Sequence, residues 1–485
     1  MIGVFAILLS LGLLMFLAFR GVTVLVLGPL MATLAVLLAG GLPILGAYTQ
    51  IFMTSTGAFI ISYFPLFMLG AIFGKLMDDS GSAKTIARRI IDWLGAPRAI
   101  LAVVLCCGVL TYGGVSLFVV AFAVFPIAAS LFRQADIPKR LIPAALALGA
   151  FTFTMSALPG TPAIQNAIPM PYFGTTAFAA PGLGIIAGVI MLGLGTAWLN
   201  RQAALAKRSG EGYGNHADAL PAPDVRLREQ AAPAEAFDLN EIEPGRDDHP
   251  GPPGIVLATL PVVLVIAINF AFVEAVLPHL DTAYLEQPAF GATTVESVRG
   301  LWAIIVALVS AIVVLIALNW RRLSSVKTSI DRGADASVLP IFNTASLVGF
   351  GAVVAALPAF DLVRETVLSV GGGNPLVSLA VAVNVLAAMT GSASGGMSIA
   401  LESLGPTYVA LAAEAGVHLE AMHRVTAVAA GTLDSLPHNG AVITLLSICR
   451  LGHRDAYLNI FVVAVVIPIL SLVVLITLAT LFGSF

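Results

Sequence analysis

The sequence predicts an all-α polytopic membrane protein, and three observations support this. Hydrophobic residues make up 58% of the 485 residues, charged residues only 11%, and the mean hydropathy is +0.97. A soluble chain carries roughly 25% charged residues. Apolar runs longer than the ~20 residues that cross a bilayer recur along the whole chain. A net charge of -3, without a basic stripe, also excludes a nucleic-acid-binding protein.

Charged residues divide most of the apolar sequence into ten predicted crossings. The first run has no basic n-region and no small-residue cleavage site, so we expect a retained span and not a signal peptide. The predicted crossings are 2–19, 22–42, 51–74, 141–173, 178–199, 254–278, 300–320, 338–358, 425–449 and 457–482.

Two further stretches, 99–132 and 366–401, contain no charged residue and fit neither one crossing nor two. Each is roughly 35 residues long, whereas one upright helix needs ~20. Each has a glycine-rich polar interruption near its middle, at 111–114 and at 390–396. We therefore predict two re-entrant hairpins whose tips lie inside the protein, where irregular backbone is tolerated. Close packing of small residues is the alternative interpretation of the glycines.

The distribution of basic residues predicts the orientation of the chain in an inner (plasma) membrane. With both termini outside, the inner segments hold 21 of the 24 Lys and Arg residues, as the positive-inside rule requires. Only Arg299, Arg364 and Arg424 fall outside these segments. We expect Arg424 and its neighbour His423 to lie at the outer mouth and to anchor the chain among lipid headgroups, and the alternative is that they draw in anions.

The same count makes the chain a duplication. It predicts two inverted repeats of five crossings each, with one re-entrant hairpin and one broken helix per repeat. The segment 156–163 (SALPGTPA) recurs as 434–441 (DSLPHNGA), and both place Pro and Gly in the middle of a span. Paired interrupted helices in inverted halves indicate the binding site of a transporter.

The repeats are joined by a segment of different composition. We predict a first membrane repeat at 1–199, a cytoplasmic linker at 200–253 and a second, inverted repeat at 254–485. The linker has ten acidic and six basic residues, with repeated Pro and Gly. Such a composition is typical of disorder, because the segment has too few apolar residues for a core. A regulatory domain is the alternative.

The hairpin tips and broken helices predict a binding site for a small organic anion. A helix that begins at mid-membrane carries roughly half a positive charge at its N-terminus and binds carboxylates there. None of the four segments contains Lys or Arg, so dipoles, amides and hydroxyls would hold the anion. We expect no catalytic residue, metal or cofactor. The candidate substrate-binding residues are Thr111, Gly113, Gly114, Ser116, Gly160, Thr161, Gln165, Asn166, Thr390, Gly391, Ser392, Ser394, Gly395, Asn439 and Gly440.

Asp434 and His438 are the candidate proton-coupling residues. An Asp at the centre of a span costs about 2.5–3.5 kcal/mol on insertion scales, so its presence there needs a reason. An imidazole or a carboxylate can change protonation as a cavity alternates sides. His438 is the better proton carrier, because we expect Asp434 to cap the helix after the break. The alternative is a purely structural Asp and a hydrogen-bonded core histidine.

At these motifs the chain resembles the gluconate:proton symporter (GntP-type) permease family of the ion-transporter superfamily. The resemblance rests on 70–81 (GAIFGKLMDDSG), on 156–174 with its LPGTP core and on 435–444. It implies proton-driven uptake of sugar acids or short hydroxycarboxylates by a dimer that moves as an elevator. The residues 436–440, within the interrupted span of the second repeat, differ from those of the gluconate-transporting branch. They favour the branch for smaller acids such as 3-hydroxybutyrate.

Other function classes stay open as alternatives to proton symport. The partner would be Na⁺ in a sodium-coupled carboxylate symporter, whereas a passive anion channel would need no coupling ion. An intramembrane enzyme is disfavoured, because Ala393 occupies the serine position of a G-x-S-x-G motif and there is no HExxH. The expected partners are therefore a small organic anion, a proton or Na⁺, membrane lipid and a second copy of the chain, with no nucleic acid.

Overall fold

The structure is a computed structural model that describes residues 2–20, 22–216, 218 and 251–485. Within these ranges the secondary structure is helical and there is no strand, which confirms the all-α prediction. The helices of the first half are α1 (Ile2–Phe19), α2 (Val24–Ala39), α3 (Ile44–Asp79), α4 (Ser82–Leu94), α5 (Ala99–Tyr112), α6 (Leu117–Gln134), α7 (Ile142–Ala150), α8 (Phe153–Ser156), α9 (Ile164–Ala167), α10 (Pro169–Phe173) and α11 (Pro181–Arg208).

The second half has the same order of elements. Its helices are α12 (Ile255–His279), α13 (Val295–Asn319), α14 (Val326–Ala356), α15 (Phe360–Ser369), α16 (Pro375–Thr390), α17 (Ala393–Ala415), α18 (Leu419–Ala430), α19 (Gly440–Cys449) and α20 (His453–Phe482). In each half, two helices precede a long helix, a short amphipathic helix, a hairpin, an interrupted helix and a final long helix. The opposite orientation of the halves stays a prediction.

Six helices in the described part of the chain are long and apolar enough to cross a membrane, namely α3, α11, α12, α13, α14 and α20. The count is seven if α4 and the following helix are taken as one span, although they meet at 103°. Gly95 ends α4 with a φ of +69°, and Pro97 follows it, which explains the bend. The ten predicted crossings also include α1, α2 and the interrupted helices, so that number stays a prediction.

The long helices α3 and α14 pack against each other and form the centre of the fold. Thr56 donates its hydroxyl hydrogen to the carbonyl oxygen of Ala345 at 3.2 Å. Gly349 lies so close to α3 that an added Cβ would be 2.3 Å from the Thr56 Oγ1. Since α3 belongs to the first half and α14 to the second, this contact joins the halves.

Hairpin 1 consists of α5 and α6, with its tip at 113–116. Its bounds agree with the charge-free stretch 99–132. The sequence of α5 ends at a pair of glycines, and Gly114 has a φ of +92°, a conformation that other residues rarely adopt. Ser116 caps α6 by accepting a hydrogen bond from the Val119 N–H at 3.5 Å.

Hairpin 2 consists of α16 and α17, with its tip at 391–392, and its bounds correct the prediction of 366–401. The start of that stretch, 366–369, belongs to α15, and Gly371, Gly372 and Gly373 turn the chain with positive φ. The second leg continues to Ala415, past the charged Glu402. The two legs meet at Gly396, where a Cβ would lie 2.2 Å from the Ala387 nitrogen.

The beginning of the predicted linker is ordered. Helix α11 extends to Arg208, so 200–208 is helical. Glu211 then accepts two hydrogen bonds from the guanidinium of Arg140, at 2.7 and 2.9 Å, and Asp218 forms an ion pair with Lys139 at 3.1 Å. The predicted disorder of the linker falls mainly on 219–250, which lies outside the described residues.

The three cysteines, Cys106, Cys107 and Cys449, are free thiols in the core, and each is 0% exposed. Cys106 donates its thiol hydrogen to the carbonyl oxygen of Ala87 at 3.3 Å, which ties hairpin 1 to α4.

Candidate functional site

The predicted span 141–173, which contains α7 to α10, is interrupted at 157–163 between α8 and α9. We call this interruption the first break, and the tip of hairpin 1 contacts it. Tyr112 donates its hydroxyl hydrogen to the carbonyl oxygen of Pro159 at 2.6 Å. A Cβ on Gly114 would lie 2.8 Å from Cγ of Pro162. Pro159 and Pro162 cannot donate backbone hydrogen bonds, so the sequence itself opens the helix here. The interruption predicted within 141–173 is therefore present, and it lies against a hairpin tip.

A cavity of about 100 Å³ lies between hairpin 1, the first break and α3. On this measure a water molecule needs about 10–15 Å³, so the cavity has room for several waters or a small organic molecule. Helix α3 supplies an apolar wall of Leu66, Phe67, Gly70 and Ala71. The opposite side contains four predicted site residues: Thr111, Gly114, Ser116 and Gln165.

The cavity is polar on one side and carries no charged group among the described residues that line it. Thr111 is 5% exposed, and its hydroxyl has no hydrogen-bond partner within the described structure. The N-terminus of the 18-residue helix α6 also reaches the cavity, through Ser116 and Leu117. Because the first N–H groups of a helix lack intrahelical partners, this end attracts negative charge.

Three other predicted residues of the first half face neighbouring side chains and are not among those that line the cavity. A Cβ on Gly113 would lie 2.4 Å from a methyl group of Val262, and one on Gly160 would lie 2.6 Å from the ring of Phe178. The hydroxyl of Thr161 accepts the Ala163 N–H at 3.3 Å and so stabilises the turn before α9.

Asn166 is fully hydrogen-bonded inside the protein. Its amide nitrogen donates to the carbonyl oxygens of Thr161 at 3.0 Å and Ala177 at 2.9 Å. Its amide oxygen accepts from His423 Nε2 and from Arg424 Nη1, both at 3.1 Å. These four bonds use the whole capacity of an asparagine side chain, so in this conformation Asn166 shapes the first break and has no bond left for a ligand.

Arg424 was expected among lipid headgroups, but it is 0% exposed and lies beside the first break. Nε and Nη2 donate to the carbonyl oxygen of Ala179 at 3.1 and 2.8 Å, and Nη2 also donates to that of Ala177 at 3.4 Å. Nη1 donates to the carbonyl oxygen of Ser156 at 3.2 Å, in addition to Asn166. The prediction of an outer-mouth anchor is wrong, because the loop after the first break folds back over this side chain.

His423 is likewise 0% exposed, and its place in the network fixes its tautomer. Arg424 and His423 both bond to the Asn166 oxygen, which can only accept, so Nε2 of His423 carries the hydrogen. Nδ1 then accepts from the hydroxyl of Thr175 at 2.6 Å. The sequence carries no signal for these contacts, since a basic pair at the start of a span is also typical of an interfacial anchor.

The second interruption, 431–439, which we call the second break, contacts the tip of hairpin 2. Asn439 donates its amide hydrogen to the carbonyl oxygen of Gly391 at 2.7 Å. Its oxygen accepts the N–H groups of Ala441 at 2.6 Å and Val442 at 3.2 Å, and so caps α19, which begins at Gly440. Asn439, and not Asp434, is therefore the capping residue of this helix.

The polar residues at the tip of hairpin 2 bond to one another. Ser392 caps α17 by accepting the Gly395 N–H at 3.0 Å and lies 3.3 Å from the hydroxyl of Ser394. Thr390 donates its hydroxyl hydrogen to the carbonyl oxygen of Leu386 at 2.8 Å. None of these second-half candidates is among the described residues that line the cavity. The structure thus forms two tip-and-break pairs, with the cavity at the first, and the pairs adjoin where a Cβ on Gly431 would lie 3.4 Å from the Ser156 Oγ.

The two proton-coupling candidates lie in the second break. Asp434 is buried and accepts a hydrogen bond from the Ser435 hydroxyl at 3.1 Å. His438 is half-buried, and its Nε2 lies 3.1 Å from the carbonyl oxygen of Ala388, one turn before the tip of hairpin 2. A carbonyl can only accept, so this nitrogen carries a hydrogen, and the other ring nitrogen is where a proton would add.

Glu402 lies inside hairpin 2 and was missed, because the predicted hairpin ended at the residue before it. Tyr172 of α10 donates its hydroxyl hydrogen to the Glu402 Oε2 at 3.0 Å. The ring of Tyr172 lies over Gly405, one turn along α17, where a Cβ would be 3.1 Å from the ring. Among the described residues, no group of three or more His, Cys, Asp or Glu could hold a metal ion.

Comparison with known proteins gives a relative in sequence and solved structures of similar fold. No protein-family model matches the sequence. The chain is 43% identical to the uncharacterized transporter YxjC of Bacillus subtilis (strain 168) over 467 residues, which cover 95% of each chain. Its fold is similar to that of the YdaH transporter of Alcanivorax borkumensis, with a TM-score of 0.56 over 89% of this chain and 88% of that one. The sequence identity to YdaH is 14%, so this similarity concerns the fold alone.

Proposed function

Because the chain belongs to the family of the Bacillus subtilis transporter YxjC, we propose that it takes up a small hydroxy-monocarboxylate by proton-coupled alternating access. The family membership makes the protein a transporter and not an enzyme. Family membership does not determine the substrate class or the coupling ion, and both are part of our proposal. Our candidates for the substrate are 3-hydroxybutyrate and gluconate-like sugar acids.

The cavity at hairpin 1 is the observation that carries this proposal. The N-terminus of α6 offers an anion unpaired N–H groups and roughly half a positive charge. The carboxylate of the substrate would lie near Leu117, where that helix begins. Its hydroxyl group would bond to Thr111 or Gln165 on the same side of the cavity. The apolar wall from α3 would pack against the carbon chain.

The charge of the lining favours a monocarboxylate over a citrate-like substrate. No lining residue in the described structure is charged. Each further carboxylate of a di- or tricarboxylate would therefore be buried without a partner, which costs several kcal/mol per ion. A single carboxylate at one helix N-terminus avoids this cost.

Uptake by the purified protein in proteoliposomes tests the substrate class. We expect labelled 3-hydroxybutyrate or gluconate to accumulate when the outside is more acidic than the inside. Unlabelled lactate should compete, whereas citrate should not. Competition by citrate alone would contradict the proposal of a monocarboxylate substrate.

The same vesicles distinguish proton coupling from the alternatives. A protonophore should stop accumulation by a proton symporter and leave a passive channel unaffected. Varying the Na⁺ concentration at constant pH should not change accumulation. If accumulation required Na⁺, the coupling ion would be Na⁺ and not the proton. We further propose a homodimer in the inner (plasma) membrane with both termini outside. Labelling of terminal tags in intact cells tests the position of the termini, and crosslinking tests the dimer.

We propose that His438, with Asp434, carries the coupled proton. Protonation of His438 would place a positive charge beside the tip of hairpin 2, where the ring already contacts Ala388. Such a charge would change the stability of the contact between the second break and this hairpin. His438→Gln keeps an amide donor for that carbonyl, so we expect normal insertion and loss of proton-driven accumulation. Undiminished accumulation that still depends on pH would exclude His438.

A further inference from the structure

Arg424 lies directly behind the wall of the cavity. It donates hydrogen bonds to the carbonyl oxygen of Ser156 at 3.2 Å and to the amide oxygen of Asn166 at 3.1 Å. The chain neighbours of these two acceptors, Met155 and Gln165, line the cavity. The guanidinium is thus separated from the cavity by one layer of residues, and it approaches from the side that carries the polar lining groups.

The positive charge of Arg424 has no counter-ion in the described part of the structure. The side chain is 0% exposed, and each acceptor that contacts it is neutral: three backbone carbonyls and one amide. Carbonyl dipoles satisfy the hydrogen bonds of a guanidinium but leave its net charge in place. A buried charge without a partner is costly, and it attracts any anion that enters the same low-dielectric region.

We propose that Arg424 is a specificity-determining residue, whose uncompensated charge selects an anionic substrate for the cavity without contacting it. This inference rests on the proposed function, and it identifies Arg424 as the source of a positive charge that no residue lining the cavity supplies. Over a separation of about 8–10 Å and at an effective dielectric constant of about 20, the attraction corresponds to a roughly 20-fold gain in affinity. It replaces our expectation that dipoles, amides and hydroxyls alone hold the anion.

The test compares an acid with its neutral amide, which differ in charge and hardly in shape. Binding of 3-hydroxybutyrate and of 3-hydroxybutyramide to the purified protein is measured for the wild type, Arg424→Gln and Arg424→Lys. In Arg424→Gln we expect the affinity for the acid to fall roughly 20-fold while that for the amide stays constant. Arg424→Lys keeps the charge and should restore most of the preference for the acid. If Arg424 had a purely structural role, Arg424→Gln would lower the affinities for the acid and for the amide equally.

Arg299 provides a matched control. It donates a hydrogen bond to the carbonyl oxygen of Gly174 at 2.6 Å, in the loop that also receives Arg424, but it lies on α13, away from the cavity wall. Arg299→Gln removes an equivalent arginine-to-carbonyl bond, and we expect an unchanged ratio of acid to amide affinity.

The outcomes separate this inference from the proposed function. If the wild type neither binds nor takes up any hydroxy-monocarboxylate, the proposed function fails and the inference fails with it. If the wild type takes up the acid but Arg424→Gln keeps its acid-to-amide ratio, only the inference fails. Should Arg424→Gln not fold, Arg424→Met replaces it, because it keeps a long side chain without the charge: a reduced preference for the acid supports the inference, and an unchanged acid-to-amide ratio overturns it.

Discussion

Asn439 joins the second break to the tip of hairpin 2, because its amide nitrogen donates to the carbonyl oxygen of Gly391 at 2.7 Å while its oxygen caps α19. In the first half the corresponding residue is Thr161, which accepts the N–H of the residue two positions later, as Asn439 does. Both side chains therefore stabilise the turn at a break, but only Asn439 caps the following helix, since α9 begins at Ile164 without a side-chain cap. Within the described structure, only the second break is hydrogen-bonded to its hairpin through the corresponding side chain, that of Asn439.

Asn439→Ala should destabilise the protein by about 1–2 kcal/mol, because it removes a helix cap. Thermal unfolding in detergent measures the change. Asn439→Asp is the control, since a carboxylate keeps both capping bonds but cannot donate to Gly391. We expect Asn439→Asp to unfold at a higher temperature than the alanine variant. Equal losses would show that the bond to Gly391, and not the cap, stabilises this region.

Gly114→Ala should impair transport without preventing insertion. Gly114 has a φ of +92°, where an L-residue costs about 1–2 kcal/mol, and the new Cβ would lie 2.8 Å from Pro162. The wall of the cavity must therefore shift, and we expect uptake to fall several-fold. Gly193→Ala on α11 is the matched control, since no atom lies within 4 Å of its Cβ position. Full activity of the first variant would place the substrate elsewhere.

Tyr172→Phe should cost about 1 kcal/mol, the usual size of a hydrogen bond between helices in a membrane. It removes the bond to Glu402 at 3.0 Å and leaves the ring over Gly405. Thermal unfolding of the single variant and of a double variant with Glu402→Gln measures the coupling between the two residues. Independent, additive losses would contradict a direct interaction. Glu414→Gln, at an exposed position on the same helix, serves as the control.

Acid should release the ordered start of the linker. The hydrogen bond from the Arg140 guanidinium lowers the pKa of Glu211, so this contact stabilises the docked state at neutral pH. The stabilisation is complete above the ordinary glutamate pKa of about 4.3 and is lost as the pH falls through the lower folded-state pKa. We expect the amides of 209–216 to be less protected from hydrogen exchange well below the ordinary glutamate pKa than at pH 7, once each measured rate is divided by the intrinsic rate at the same pH. In Glu211→Gln, exchange should already be fast at pH 7, and a variant as protected as the wild type would exclude this contact.

The sequence predicts most of the helical architecture, because charges and glycines mark where an apolar chain must turn. Hairpin 1 has the predicted bounds for this reason. Hairpin 2 does not, since Glu402 was taken as a membrane boundary, although it lies in the middle of α17. Its partner Tyr172 is 230 residues away along the chain. The sequence does not distinguish an intramembrane carboxylate that has a partner from a carboxylate at the membrane interface, because only the fold brings the partner close.

The candidate site is predicted only in part, for a related reason. Residue types predict which side chains can bind a ligand, but not where those side chains point. Thr111 and Gln165 line the cavity, whereas Asn166 and Asn439 use their amides for the backbone around them. The carbonyl partners of Arg424 are 245 to 268 residues away along the chain. No local pattern reveals such contacts, so a buried cation was mistaken for a surface anchor.

The position of the three thiols has a practical consequence for following the motion of this transporter. Water-borne maleimides and spin labels need access to a thiolate, and Cys106, Cys107 and Cys449 are each 0% exposed. A cysteine introduced at an exposed position such as Trp93 or Lys327 can therefore be labelled without first replacing the native ones. Distances between two such labels, recorded with and without a pH gradient, would report directly on the conformational cycle of the otherwise unmodified protein.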